Sequence, residues 1–187
     1  MPRPGLGSPT DQSEAALVTT PVVFLCTGNA ARSVMAGAAL SAHLPDWHVT
    51  TAGTLVVEGQ PMSLRTRAAL EAVGLEPPQH RSRQAGAGDL EHAALVIAMA
   101  PEHVLWVRRT HPLAAPRTAT LRRLVRDLSH EPLPLAGRLA RLELASVELG
   151  EWEEVVDPGG GDGAMYAACA VEVTGLVAQL APRLDLV

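Results

Sequence analysis

VVFLCTGNAARSVMAGAAL, residues 22–40, passes from a continuous apolar run to a cysteine, five small or polar residues, an arginine, and then apolar residues at helical spacing. Pro21–Leu25 is apolar and β-branched without alternation, the pattern of a strand buried on both faces, and the Gly-Asn pair beyond it signals a turn. From Ser33 onward Met35, Ala38, Ala39 and Leu40 recur with roughly helical spacing, ending near HLPDW, residues 43–47. Strand, loop and helix in that order put Cys26 at the carboxyl end of a strand and Arg32 at the start of a helix.

None of the loop residues Thr27, Gly28, Asn29, Ala30 and Ala31 is bulky. The loop is long enough to curl around a tetrahedral oxyanion with its N–H groups turned inward. With Ser33 opening the helix, the helix dipole and the Arg32 guanidinium would face the same anion, and that field would favour a Cys26 thiolate. The spacing Cys-x5-Arg also arises by chance, from a buried cysteine ending a strand and a surface arginine. The strand–loop–helix setting and the following serine weigh toward a site.

Outward from this unit, WHVTTAG (47–53) fits a second strand, and SLRTRAALEAVG (63–74) a helix closed by Gly74. AALVIAMA (93–100) is a third buried strand, and PEHVLWVRRTH (101–111) a helix with Pro101 in its first turn. RTATLRRLV (117–125) holds a short fourth strand, and residues 129–154 fit one or two helices. GAMYAACAVEVTGLVAQLA (163–181) is a last amphipathic helix with Met165, Cys169, Val173, Leu176 and Leu180 on its stripe. The alternation predicts an α/β fold: a single three-layer domain with a central parallel four-stranded sheet, helices on both faces, and the anion-binding loop after strand 1. In such sheets the carboxyl ends of the strands hold the site.

A length of 187 residues with 47% hydrophobic side chains suits one such domain, assigned to residues 20–187. The net charge of -5, with scattered arginines, argues against a nucleic-acid partner. All 15 basic residues are arginine, which excludes Schiff-base chemistry and the lysine-dependent nucleotide loop. Two cysteines supply neither a disulfide framework nor a metal cluster, which points to the cytoplasm. Residues 1–19 lack the apolar core of a signal peptide and are expected to form a flexible tail; no apolar run approaches membrane-spanning length, so no membrane partner is expected.

Four segments then carry a resemblance. CTGNAARS (26–33), TTAGT (50–54), QHRSRQ (79–84) and VVDPGG (155–160) resemble, in order and spacing, the signature, Ser-Ala-Gly-Thr, His-x-x-Arg-Gln and Asp-Pro segments of the low-molecular-weight protein tyrosine phosphatase family. That family shares its fold with the thioredoxin-coupled arsenate reductases, and the likeness runs from about residue 21 to 182. It implies Cys26 as nucleophile, Arg32 as phosphate clamp and Asp157 as general acid, with the loop from Thr27 to Ser33 binding the substrate phosphate. Asn29 would hold the loop in a strained shape, Thr51 and His80 would support it, and Ser33 would donate a hydrogen bond to the thiolate. The other histidines, unpaired on any helix face, read as structural or solvated.

The implied chemistry is in-line attack by sulfur, protonation of the leaving oxygen by Asp157, and hydrolysis of a cysteinyl-phosphate with Asp157 as base, using neither metal nor cofactor. Three departures bear on the substrate. Gly159, Gly160 and Gly161 stand where phosphotyrosine-specific relatives carry aromatics, with Tyr166 further on inside a helix. Val34, Met35 and Ala36 lie between the phosphatase and reductase patterns. Ala31 replaces a second cysteine, so oxidised Cys26 has no loop partner, and Cys169 reads as core packing. The expected activity is that of a cysteine-dependent phosphomonoesterase acting on phosphotyrosine proteins or small aryl phosphates, with phosphate, sulfate or arsenate able to enter the loop. The alternatives are an arsenate reductase served by an external thiol and a non-catalytic oxyanion-binding module.

Overall fold

The apolar run of residues 21–26 forms β1 (Pro21–Cys26), and its two sets of side chains enter different cores. Val22, Phe24 and Cys26 face the larger core, and Val23 and Leu25 the smaller one. Burial on both faces explains why the strand shows no polar alternation. The computed structural model describes residues 20–185, so the expected tail, residues 1–19, lies outside the described residues.

β1 is central. It pairs in parallel with β2 (His48–Gly53) on one side and β3 (Leu95–Ala98) on the other, and β3 pairs with β4 (Thr118–Thr120), giving the order β2-β1-β3-β4. Cys26 lies opposite Gly53, and Leu25 opposite Ala98, so the carboxyl ends of three strands meet at one rim. The connections are helical, as parallel neighbours require. They are α1 (Arg32–His43), α2 (Leu64–Ala72), α3 (Ala87–Leu90), α4 (Pro101–Thr110) and a 3-10 turn at Pro112–Arg117. After β4 come α5 (Leu121–Asp127), α6 (Leu135–Ala140), a 3-10 turn at Glu151–Glu153 and α7 (Gly163–Leu184).

Helices α1, α5 and α7 cover the larger core, while α4 and its 3-10 turn cover the other face. The expected three layers and four strands are therefore present. Two local expectations are met in their shorter form, and one, the α7 stripe, changes. The segment 117–125 is strand only through Thr120, whose hydroxyl accepts from the Arg123 N–H and turns the chain into α5. Residues 129–154 yield one short helix and a 3-10 turn. The buried stripe of α7 is Cys169, Ala170, Val173, Val177, Leu180, Ala181 and Leu184, with Leu176 beside it and Met165 exposed near the helix start.

Contrary to the expectation from sequence, one run does approach spanning length: α7 is 22 residues long and, by length and composition, apolar enough to cross a membrane. In this fold α7 lies against α1, α2 and α5 and contributes its stripe to the larger core. Asp162 caps its start, accepting from the Met165 N–H at 3.1 Å.

Candidate active site

The turn after β1 begins where sheet pairing ends. The Thr54 N–H donates to the Cys26 carbonyl at 2.9 Å and the Leu55 N–H to that of Thr27 at 3.0 Å, so the chain leaving β2 runs alongside the loop. Gly53 permits that approach: a Cβ there would stand 2.4 Å from the Thr27 carbonyl oxygen and 2.9 Å from the Asn29 nitrogen. On the other side Thr66, in the first turn of α2, donates its hydroxyl to the Ala30 carbonyl at 3.0 Å.

Asn29 is the pivot. Its φ of 50° lies in the left-handed region, which asparagine tolerates better than most residues, and it is fully buried. Nδ2 donates to Ser33 Oγ and to Thr51 Oγ1, both at 3.0 Å, while Oδ1 accepts the Arg83 N–H at 3.0 Å. Its carbonyl accepts from His80 Nε2 at 2.7 Å and from the Ser82 hydroxyl at 2.9 Å. Burial holds the His80 pKa below its usual value against the opposing pull of that carbonyl, so the ring is neutral with its proton on Nε2. The structure thus brings Thr51 and His80 to the residue they were expected to support, and adds Ser82 and Arg83 from the same QHRSRQ segment.

Ser33 Oγ sits 3.1 Å from Cys26 Sγ. Because Asn29 occupies a lone pair of that oxygen, the single hydroxyl proton is free to point at sulfur, the orientation that stabilises a thiolate. Ala31, at the N-cap of α1, offers no side-chain acceptor, which leaves the first-turn amides of α1 available to an anion. Cys26 is buried, and Arg32 is only 3% exposed. The surface-charge reading of Arg32 is therefore wrong.

The Arg32 fork is held at both ends: Nη1 donates to the Val155 carbonyl at 3.2 Å and Nη2 to Thr27 Oγ1 at 3.3 Å. Nη2 also meets Asp157 Oδ2 at 2.5 Å, joining positions 125 residues apart in sequence. The Asp157 stretch is pinned to the sheet because the Val155 N–H donates to the Met99 carbonyl at 2.8 Å, just beyond β3. One turn upstream, the buried carboxylate of Glu153 accepts from Arg123 Nε at 2.9 Å, Arg123 Nη2 at 2.5 Å, Thr120 Oγ1 at 2.7 Å and the Gly150 N–H at 2.9 Å. Trp152 lies under the Arg126 guanidinium at 3.7 Å. This clamp had no signature in the sequence.

A second unforeseen group stands behind Thr27. His103 Nε2 lies 3.0 Å from Thr27 Oγ1 and 3.3 Å from Glu102 Oε1. Burial, and then the charge of Arg32, push the His103 pKa down to about 3. Cys169, the second thiol, is buried in α7 and its pKa is pushed up to about 12, chiefly by burial and then by Glu172. Among the described residues no group of three or more His, Cys, Asp or Glu is placed to hold a metal ion.

The family model described as low molecular weight phosphotyrosine protein phosphatase matches residues 21–136, a span that includes Cys26, Arg32, Thr51 and His80 and stops short of Asp157. A protein-arginine-phosphatase of Geobacillus stearothermophilus is 30% identical over 165 residues, covering 88% of this chain and 95% of that protein. The solved arginine phosphatase from that organism superposes with a TM-score of 0.71 at 30% identity, over 89% of this chain and 93% of the other. A low-molecular-weight protein tyrosine phosphatase from T. tengcongensis gives a TM-score of 0.68 at 28% identity, over 87% and 97% of the two chains. The chain therefore belongs to the low-molecular-weight phosphotyrosine protein phosphatase family and is a cysteine-based phosphatase.

Proposed function

We propose that this chain removes phosphate from phosphorylated side chains of proteins, with Cys26 as nucleophile, Arg32 as clamp and Asp157 as the acid. Sulfur attacks phosphorus in line, the S–P bond forms as the bond to the leaving atom breaks, and Asp157 supplies that atom's proton. Asp157 then takes a proton from water, whose oxygen attacks phosphorus and returns the thiolate. Charge on the transferring group is met by Arg32 and the loop amides. The observation carrying this reading is the 2.5 Å contact of Asp157 with the arginine that follows Cys26 in the loop. Two buried free cysteines, one of them the nucleophile, fit a reducing cytoplasm. Residues 20–187 are taken as the working unit.

Phosphoarginine is the substrate we place first. The Glu102 carboxylate, 69% exposed, stands 3.4 Å from Thr27 Oγ1 at the mouth of the loop, where a departing guanidinium would meet it. The three glycines after Pro158 provide no aromatic wall, and the Geobacillus relative is named for arginine. Phosphotyrosine is the second reading, supported by the exposed apolar side chains Leu55, Val57 and Val156, which follow β2 or adjoin Asp157.

The test is steady-state hydrolysis of p-nitrophenyl phosphate and of matched phosphoarginine and phosphotyrosine peptides by wild type, Cys26→Ser and Asp157→Ala. Turnover abolished by the first change and lowered by the second supports the mechanism, and the ratio of kcat/KM between the peptides assigns the substrate. Phosphate binding without turnover on any of the three refutes the proposal. Arsenate-dependent consumption of thiol in its place favours the reductase.

A further inference from the structure

Thr27 Oγ1 is surrounded by three partners, and one assignment of protons satisfies all three, with the His103 N–H placed between Thr27 Oγ1 at 3.0 Å and Glu102 Oε1 at 3.3 Å and closer to the former. The Arg32 guanidinium has no acceptor, so Nη2 donates to Thr27 Oγ1 at 3.3 Å. The Glu102 carboxylate has no proton, so at 3.4 Å it accepts the Thr27 hydroxyl. His103 Nε2, at 3.0 Å, must then donate into the second lone pair of Thr27 Oγ1. The unused ring nitrogen agrees with this: His103 Nδ1 is buried without a partner, which a bare lone pair tolerates better than an N–H would. The ring is 1% exposed and is kept neutral by burial and by Arg32. A cationic ring would repel the guanidinium, and a neutral one does not.

We infer that His103 is a positioning residue for the phosphate clamp: through Thr27 Oγ1, with Glu102 taking the hydroxyl proton, it fixes the Nη2 end of Arg32 while the Val155 carbonyl fixes the Nη1 end. A guanidinium held at both ends presents its donors to an oxyanion without first losing side-chain freedom. The inference deepens the phosphatase reading but needs only that the loop binds phosphate. α4 thus reaches the site from the face of the sheet opposite α7, and the MAPEH stretch after β3 becomes part of the active centre.

The test is calorimetric titration of inorganic phosphate into wild type, His103→Leu, His103→Gln, Thr27→Val and the double variant His103→Leu/Thr27→Val. Loss of the single hydrogen bond is expected to weaken phosphate about fivefold in His103→Leu. The amide N–H of His103→Gln should restore much of the affinity. Because His103 acts through Thr27, the double variant should bind no more weakly than Thr27→Val alone, whereas a purely structural role would add its own loss. Unchanged affinity in His103→Leu, or additive losses, overturns the inference. If His103→Leu does not fold, Thr27→Val decides: weaker phosphate with an unchanged unfolding midpoint supports the inference, and wild-type affinity overturns it. The readouts are phosphate binding constants and an unfolding midpoint, none of which needs turnover, so absence of turnover would refute the proposed function and leave this question answered separately.

Discussion

Replacing Asn29 separates the two jobs its geometry gives it. The side chain makes three hydrogen bonds, to Ser33, Thr51 and the Arg83 N–H, and the backbone sits at φ 50°. At about 1 kcal/mol net for each bond, Asn29→Ala loses about 3 kcal/mol. Forcing an alanine into the left-handed region adds roughly 1 kcal/mol. The total, about 4 kcal/mol, is a large share of the 5–15 kcal/mol that holds a typical domain together. Asn29→Gly loses the same bonds but not the strain, so it should be less damaging by about 1 kcal/mol. Urea unfolding read at constant m-value measures both differences. Both variants should bind phosphate poorly, because Ser33 loses the donor that turns its proton toward Cys26. A wild-type midpoint for Asn29→Ala, or a glycine variant less stable than the alanine one, would refute the account of a strained residue held by its side chain.

Three further outcomes follow from single contacts. Gly53→Ala drives a methyl into backbone atoms that cannot step aside, so it should cost about 1–3 kcal/mol of stability or of phosphate affinity, measured by urea unfolding and calorimetry. Iodoacetamide at pH 7.5 should label the native protein at Cys26 alone, with phosphate protecting it, because burial holds the Cys169 thiol at a pKa of about 12; peptide mass mapping checks this, and denaturant should expose the second thiol. Burial raises the Glu153 pKa, but hydrogen bonds from Arg123, Thr120 and Gly150, with the charge of Arg123, outweigh it and leave the group below its ordinary value. Its stabilisation is therefore complete above the unfolded carboxylate pKa of about 4.3 and disappears as pH falls through the lower folded value. Glu153→Gln should cost about 3 kcal/mol at pH 7, and its deficit against wild type should shrink in thermal melts taken progressively below pH 4.

The order of elements was legible because each is local. β1 announces itself by an unbroken apolar run, α2 by Gly74 beyond its end, and α4 by Pro101 in its first turn. The fourth strand was legible only as a short one within residues 117–125, and its end at Thr120 was not, because the hydroxyl that ends it is also a strand-favouring side chain. The stripe of α7 was misread at Met165 because the first turn of that helix extends past the core it later covers. At the site, Cys26, Arg32 and Ser33 follow from spacing within one loop, whereas Asn29, Thr51, His80 and Asp157 were found through a family likeness. No spacing rule joins Arg32 to a residue 125 positions away. The groups that were missed, His103 with Glu102 and Arg123 with Glu153, are polar side chains on amphipathic segments. Their sequence context is the same whether they face water or another buried charge.

The contact between Arg32 and Asp157 also constrains how the proposed reaction can run. Two of the partners on the guanidinium, the Val155 carbonyl and Thr27 Oγ1, are neutral and can remain in place when an anion enters; the third, Asp157 Oδ2, is charged and competes with phosphate for Nη2. A phosphate dianion carries more charge and can engage the loop amides as well as the arginine, so it wins that competition and drives the carboxylate off the fork. Asp157 Oδ1 also accepts the Gly159 N–H at 2.9 Å, a contact independent of Oδ2 that the carboxylate can keep when phosphate takes Nη2. The glycine segment after Pro158 thus supplies the backbone donor that holds Asp157 Oδ1, a contact that an exposed run of glycines does not reveal in the sequence.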